Sequence, residues 1–278
     1  MPMLKRDQLL QHGIRRDVRF RVVQPLGAGG FGEAYEVVGL DEDEDEYPSS
    51  ACLKVTTEPW AWHGETYFMR LLHGNAHAVQ LFDAFPVQIG EGAAARTRFC
   101  ILMELLRDRS VLDVCKSDEL PWKEDRVARQ IGYLLRTLSV LHGLQTPHRD
   151  ITPANMYIGQ RSALKLGDYG IAQTATLATG KVRANGVYNP AFRPPDLKTF
   201  WDRRDDIYQV GLLAMTLLAG EVCYTGVKKA DVTQLTSRNG RLRDVIKQAV
   251  DVKARRFDHA MAMADGLKQA HAQAVESH

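Results

Sequence analysis

The sequence predicts an α+β fold in two parts: a small antiparallel sheet with one helix, then a mainly helical part. Three observations carry this. The first third consists of short β-branched and aromatic runs separated by turn residues. From Lys123 onward, apolar residues recur at helical spacing. Strands are grouped before helices instead of alternating with them, which argues against a doubly wound parallel sheet. The break falls near Leu105–Ser110.

Each element has its own warrant. Phe20–Pro25 is hydrophobic and β-branched, and Glu36–Leu40 follows a glycine-rich turn, so both read as strands. The acids Asp41–Glu46 repel one another and read as a solvated loop. Ala51–Thr56 resumes as a strand, and Glu65–Leu72 has helical character. Val79–Val87 and Phe99–Leu105 complete the predicted sheet. Lys123–Leu144 lines up Val127, Ile131, Leu134, Leu135, Leu138 and Leu141 in one amphipathic stripe. Asp206–Ala219 is apolar nearly all round, as a buried central helix is. Arg241–Val252 and Asp258–Ala274 are two more amphipathic helices, and the short polar stretch Glu221–Gly240 before them is expected to hold only a reduced helix.

Composition sets the class. Among 278 residues, 36 Lys and Arg stand against 34 Asp and Glu, a formal charge of +2. That balance offers no electrostatic footprint for nucleic acid or a membrane. Hydrophobic residues at 45% exclude a disordered or collagen-like chain. Cys52, Cys100, Cys115 and Cys223 lie in apolar runs without a C-x-x-C pair, so they read as reduced thiols of an intracellular protein. The opening MPMLKRDQLLQHG lacks the apolar stretch of a signal peptide. The run Val210–Ala219 is short of the roughly 20 residues that a membrane span needs. A cytoplasmic location is expected, with no room in the chain for a sensor domain or anchor.

Three segments carry chemistry. Leu26-Gly-Ala-Gly-Gly-Phe-Gly32 is a G-x-G-x-x-G turn, whose backbone N–H groups can approach a phosphate closely because no Cβ intervenes. The strand-like Glu33–Val38 follows it, so a flap between antiparallel strands fits better than a helix-opening dinucleotide turn. Lys54 sits in an apolar strand and needs an anion; Glu65 is the best partner and Glu58 a weaker rival. In His148-Arg-Asp-Ile-Thr-Pro-Ala-Asn155, an acid and an amide bracket a loop after a long helix. Asp168, between Gly167 and Gly170, follows the apolar Ala163–Leu166. Asn155 and Asp168 offer the hard oxygen ligands that Mg2+ takes, leaving Asp150 to orient an attacking hydroxyl. His73 and His77 are four apart, but Gly74 and Asn75 interrupt them and no third ligand is near, so zinc is disfavoured.

With these residues in order, the chain resembles the eukaryotic-like (Hanks-type) protein kinases over about residues 20 to 270. The short connections suggest a bacterial version. The resemblance implies a bilobal fold forming a single kinase domain over 1–278, with an N-lobe to about 104, a hinge at 104–107 and a C-lobe from about 108. It implies ATP and Mg2+. Gly27, Gly29 and Gly32 would cover the phosphates; Lys54, fixed by Glu65, would hold them. Leu26, Ala34, Cys52, the gatekeeper Met103, Glu104 and Leu106 would line the adenine pocket. Asp150 would be catalytic, accepting or orienting the proton of the substrate hydroxyl, and Asn155 and Asp168 would be the metal ligands. Asp206 would brace the catalytic loop, and Asp196 would pair with Arg256 or Arg255. The activation segment would run from Asp168 to Asp196, with Thr174, Thr176, Thr179 and Tyr188 as candidate phosphorylation sites beside Arg149.

Departures keep two alternatives open. Thr152 stands where serine/threonine kinases carry a lysine, Ala154 where tyrosine kinases carry an arginine, and Asn189 where a threonine is usual. The eleven residues from Lys54 to Glu65 are fewer than the family usually leaves, so the leading helix is trimmed and that ion pair is in doubt. The first reading is a kinase acting on a protein hydroxyl, Ser/Thr before Tyr, and autophosphorylating. Its regulation would come from a partner or the activation segment. The alternatives are a nucleotide-binding pseudokinase acting as a scaffold, and a small-molecule kinase. The glycine turn and the Pro-Pro-Asp196 block weigh against the last.

Overall fold

The computed structural model describes the chain except residues 1, 30–31, 42, 91–94, 171, 173–181, 184–188, 227–228, 237–238 and 277–278. Two compact units emerge, Met1–Gly74 with Val79–Arg107, and Asn75–Ala78 with Asp108–His278.

The first unit is an antiparallel sheet of β1 (Leu9–Gln11), β2 (Arg19–Gly29), β3 (Gly32–Leu40), β4 (Glu46–Thr56), β5 (Leu81–Ile89) and β6 (Arg96–Met103), ordered β1-β2-β3-β4-β6-β5. Alternation places Val22, Tyr35, Val37, Leu53, Val55, Phe85, Cys100 and Leu102 in one core. One helix, α1 (Pro59–Leu71), joins β4 to β5. Its Trp62 indole donates to the Cys100 carbonyl at 2.9 Å, fixing the helix on β6.

The strands exceed their predicted lengths. β4 starts at Glu46 because Pro48 is tolerated there: β6 first pairs with β4 at Cys52, so residues 46–50 have a free side. The acidic loop shrinks to Asp41–Asp45, where the Asp41 carboxylate accepts the N–H groups of Asp43 and Asp45 at 3.0 and 2.8 Å. Glu65 lies in the middle of α1, not near its start as expected. β1 was not anticipated at all.

The second unit contains α2 (Val111–Val114), α3 (Glu124–Gly143), the hairpin β7 (Met156–Ile158) and β8 (Leu164–Leu166), the short pair β9 (Val182–Arg183) and β10 (Phe200–Trp201), and α4 (Arg203–Ala219), α5 (Lys229–Leu235), α6 (Gly240–Ala249) and α7 (Ala260–Glu276). α4 is buried from Asp205 to Leu218. A capping box between Asp202 and Asp205 starts it, and Gly220, at φ +78°, ends it in the left-handed region. The seven-residue α5 is the short helix expected within Glu221–Gly240. His77 lies 2.9 Å through Nδ1 from the Leu164 carbonyl, so its ring serves the β8 neighbourhood. No helix among the described residues is long and apolar enough to cross a membrane.

Candidate active site

In the first unit, β2 and β3 form the glycine-bearing hairpin, with Gly27 opposite Ala34 and Gly29 opposite Gly32. A Cβ at Gly27 or Gly29 would meet nothing within 4 Å, so no protein neighbour requires a glycine at either position. Open backbone of this kind suits a close-lying phosphate. Gly32 is different: its φ is +138°, and a Cβ would lie 2.4 Å from the Val55 carbonyl oxygen.

Lys54, on β4, reaches both carboxylate oxygens of Glu65 at 2.9 and 2.8 Å. The short link suffices because α1 opens directly on Pro59, whose fixed φ suits a first helical turn. Both side chains are largely buried, at 12% and 4% exposure, so each needs the other's charge. Glu58 stands at the N-cap position of α1.

Cys52 faces Met103 across the β4–β6 register. Burial pushes its thiol up to about 12, against the pull of the Lys54 cation. Burial does the same at Cys100. Iodoacetamide at pH 8 should therefore leave both unmodified in the folded protein, as intact-mass measurement would show; rapid labelling of Cys52 would contradict the burial.

After Met103, the Glu104 N–H donates to the Gln80 carbonyl at 2.9 Å. Arg107 pairs with the buried Glu36 of β3. Glu36 also accepts from the Gln24 amide at 2.9 Å. Burial alone would raise the Glu36 pKa, but Gln24, Ser50 and Arg107 outweigh it and hold the carboxyl low. This anchor of the 104–107 segment was not foreseen; its one sequence signal is a glutamate inside a strand.

In the second unit, Asp150, Asn155 and Asp168 come together. The Asn155 amide donates to Asp150 Oδ2 at 2.7 Å and to the Asp150 carbonyl at 3.1 Å. That leaves the Asn155 carbonyl oxygen as the atom able to take a cation. Asp168 holds a left-handed backbone, φ +54°, and accepts the Gly170 N–H at 3.1 Å. Burial, then the Asp168 charge, pushes Asp150 up to about 6, with Asn155 and Arg149 pulling the other way. Two carboxylates that disfavour each other's charge, beside an amide oxygen, make a hard donor set of the kind Mg2+ takes. Thr152 is buried, and its backbone forms the tight turn, donating to the Asp150 carbonyl at 3.0 Å and accepting from Asn155 at 3.0 Å.

Asp206 braces this loop as expected. It accepts the N–H groups of His148 at 2.7 Å and Arg149 at 2.9 Å. Two partners escaped the sequence reading: the Trp201 indole donates to it at 2.9 Å, and Gln209 accepts the Ile151 N–H at 2.9 Å. Asp196 takes Arg256 at 2.6 Å, which decides against Arg255. Lys253, also unforeseen, joins the cluster through Asp205 at 2.5 Å. Asn189 caps a short 3-10 turn by accepting the Ala191 N–H at 3.1 Å. Thr174, Thr176, Thr179 and Tyr188 lie outside the described residues.

The protein kinase domain model matches residues 20–274. The chain belongs to the protein kinase family. Among its relatives, serine/threonine-protein kinase pkn2 of Myxococcus xanthus is 26% identical over 249 residues, 81% of this chain and 26% of that protein. Serine/threonine-protein kinase PknL of Mycobacterium tuberculosis is 27% identical over 216 residues, 76% of this chain and 51% of the relative. This kinase-family chain thus spans from a quarter to about half of those two relatives. The Mycobacterium tuberculosis PknI kinase domain shares its fold, with a TM-score of 0.58 at 21% identity over 90% of this chain and 96% of that one.

Proposed function

We propose that the chain is an ATP-dependent protein kinase acting on serine or threonine hydroxyls. The observation that carries this is the Asp150–Asn155–Asp168 set, in which one Asp150 oxygen is fixed by Asn155 and the other is buried without a hydrogen-bond partner among the described residues. That second oxygen takes the proton of the substrate hydroxyl as its oxygen bonds to the γ-phosphorus. The bond from that phosphorus to the β–γ bridging oxygen breaks, and ADP leaves with the electron pair. Asn155 and Asp168 would hold Mg2+, which would neutralise phosphate charge. Lys54, oriented by Glu65, holds the α- and β-phosphates, and the hairpin of Gly27, Gly29 and Gly32 covers them. Leu26, Ala34, Cys52 and Met103 line the adenine pocket, and Glu104 and Leu106 offer backbone groups to the base.

Residues 1–278 act in this reading as one kinase domain in the cytoplasm, where the four cysteines stay reduced. The partners are a protein substrate and a regulatory protein, and autophosphorylation falls within 168–196. The relatives' names support Ser/Thr over Tyr. A second reading, a nucleotide-binding pseudokinase, is favoured by Thr152: a buried threonine supplies no charge to the γ-phosphate.

Intact-mass analysis of phosphatase-treated protein before and after MgATP, beside Asp168→Asn, separates the two. A gain of phosphate in wild type alone is expected, on itself or on an added generic protein substrate. ATP binding without transfer to either would favour the pseudokinase, and neither binding nor transfer would refute the roles given to Lys54 and Asp168.

A further inference from the structure

The residues before Phe20 lie outside the stretch matched by the kinase family model, yet they are built into the first unit. β1 pairs with β2, and beside it Asp7 donates to the Val22 carbonyl at 2.8 Å while Val22 donates back to Gln8 at 3.0 Å. The segment then reaches the opposite edge of the sheet. His12 Nε2 lies 3.3 Å from Asp83 on β5, and its ring sits 3.9 Å from that of Phe85. Arg15 pairs with Asp83 at 2.6 Å. The backbone at Gly13 runs so close to β5 that a Cβ would fall 1.7 Å from the Pro86 oxygen. One short segment therefore touches both outer strands of the rest of the sheet, β2 and β5.

Its first residues do something different. The Met3 N–H donates to Glu33 Oε2 at 2.7 Å, and the Leu4 N–H donates to the Tyr35 hydroxyl at 3.1 Å. The Tyr35 hydroxyl in turn donates to Glu33. Leu4 is 2% exposed and belongs to the same core as Tyr35. Glu33 directly follows Gly32, the last glycine of the hairpin, on the strand that returns from it. A shift of that strand would break two backbone-to-side-chain bonds and unseat Leu4.

We propose that Met3–His12 is a strap that positions the glycine-bearing hairpin, with Leu4 and Tyr35 as its positioning residues. The proposal rests on the reading of that hairpin as the phosphate cover. Mobility of the hairpin root is then set by a segment that a partner or a proteolytic cut could release, which gives the kinase a control point in its first residues.

The test uses full-length Leu4→Asn, Tyr35→Phe and, as a control, Val87→Asn, which weakens the same core from β5, outside the strap. Hydrogen exchange is followed at the amides of 27–36 and of α3. The expected result is exchange faster by about tenfold at 27–36 in the first two variants, with α3 unchanged and Val87→Asn much less affected. In the same variants KM for ATP should rise about fivefold while kcat stays within about twofold. Unchanged exchange at 27–36, or an equal rise in all three variants, would overturn the strap. If wild type neither binds nor uses ATP, the phosphate-cover reading fails instead, and the exchange data still decide whether the segment positions the hairpin.

Discussion

Asp150→Asn should lower kcat by about 10²- to 10⁴-fold, the range of a general base, while the Kd for a fluorescent ATP analogue changes by less than about threefold. The geometry explains the split. Asn155 holds Asp150 Oδ2 at 2.7 Å, so the side chain is already oriented. The other oxygen has no hydrogen-bond partner among the described residues, although it is buried. A buried acceptor left open is costly unless something fills it; the substrate hydroxyl is the group that would. Asparagine keeps the size and planarity of the side chain but cannot take up a proton. Single-turnover transfer to a generic protein substrate reads the effect. Turnover retained to within tenfold would mean that Asp150 only positions the hydroxyl, and a lost Kd would mean that the loop itself had moved.

The residues of the candidate site were legible because their motifs are local. The glycine turn, His148–Asn155 and Gly167–Gly170 are each one short stretch, so Lys54, Glu65, Asp150, Asn155 and Asp168 could be numbered before any coordinates. The long helices were legible for a related reason: α3 and α4 carry their burial pattern in their own sequence. Long-range pairs between single polar residues leave no periodic trace. Trp201 and Gln209 read as ordinary members of a loop and a helix, although from buried positions Trp201 bonds Asp206 and Gln209 accepts the Ile151 N–H. β1 escaped because three residues give no pattern, and its strand character comes from the edge of β2 that it covers. The doubt over Lys54 and Glu65 came from counting residues to the glutamate; the strand simply ends late and the helix starts at once on Pro59.

Asp206→Ala should cost about 3–5 kcal/mol of stability, the range for breaking a buried charged network by removing one partner. Its carboxylate is wholly buried and gathers the N–H groups of His148 and Arg149, the Trp201 indole and His142 Nε2, the last at 2.8 Å. Alanine strands these groups without water to replace the lost acceptor. Asp206→Asn keeps one acceptor oxygen and should lose less, about 1–3 kcal/mol. Burial by itself would raise the pKa of Asp206, but His142, His148 and the Arg149 N–H outweigh it, so the folded value lies below 3.8. The Asp206 contribution is therefore complete above the unfolded carboxylate pKa of about 3.9 and is lost as pH falls through the lower folded value. The gap between wild type and Asp206→Asn in urea titrations should be widest near neutrality and narrow in acid; a gap that widened below pH about 4 would contradict this sign. Activity should fall further than stability does. Arg149 is held at φ +76°, a costly conformation for a residue with a side chain, and the bond from its N–H to Asp206 helps to hold it there. With that bond gone the loop can relax toward ordinary backbone angles and carry the adjacent Asp150 out of register while the rest of the unit stays folded.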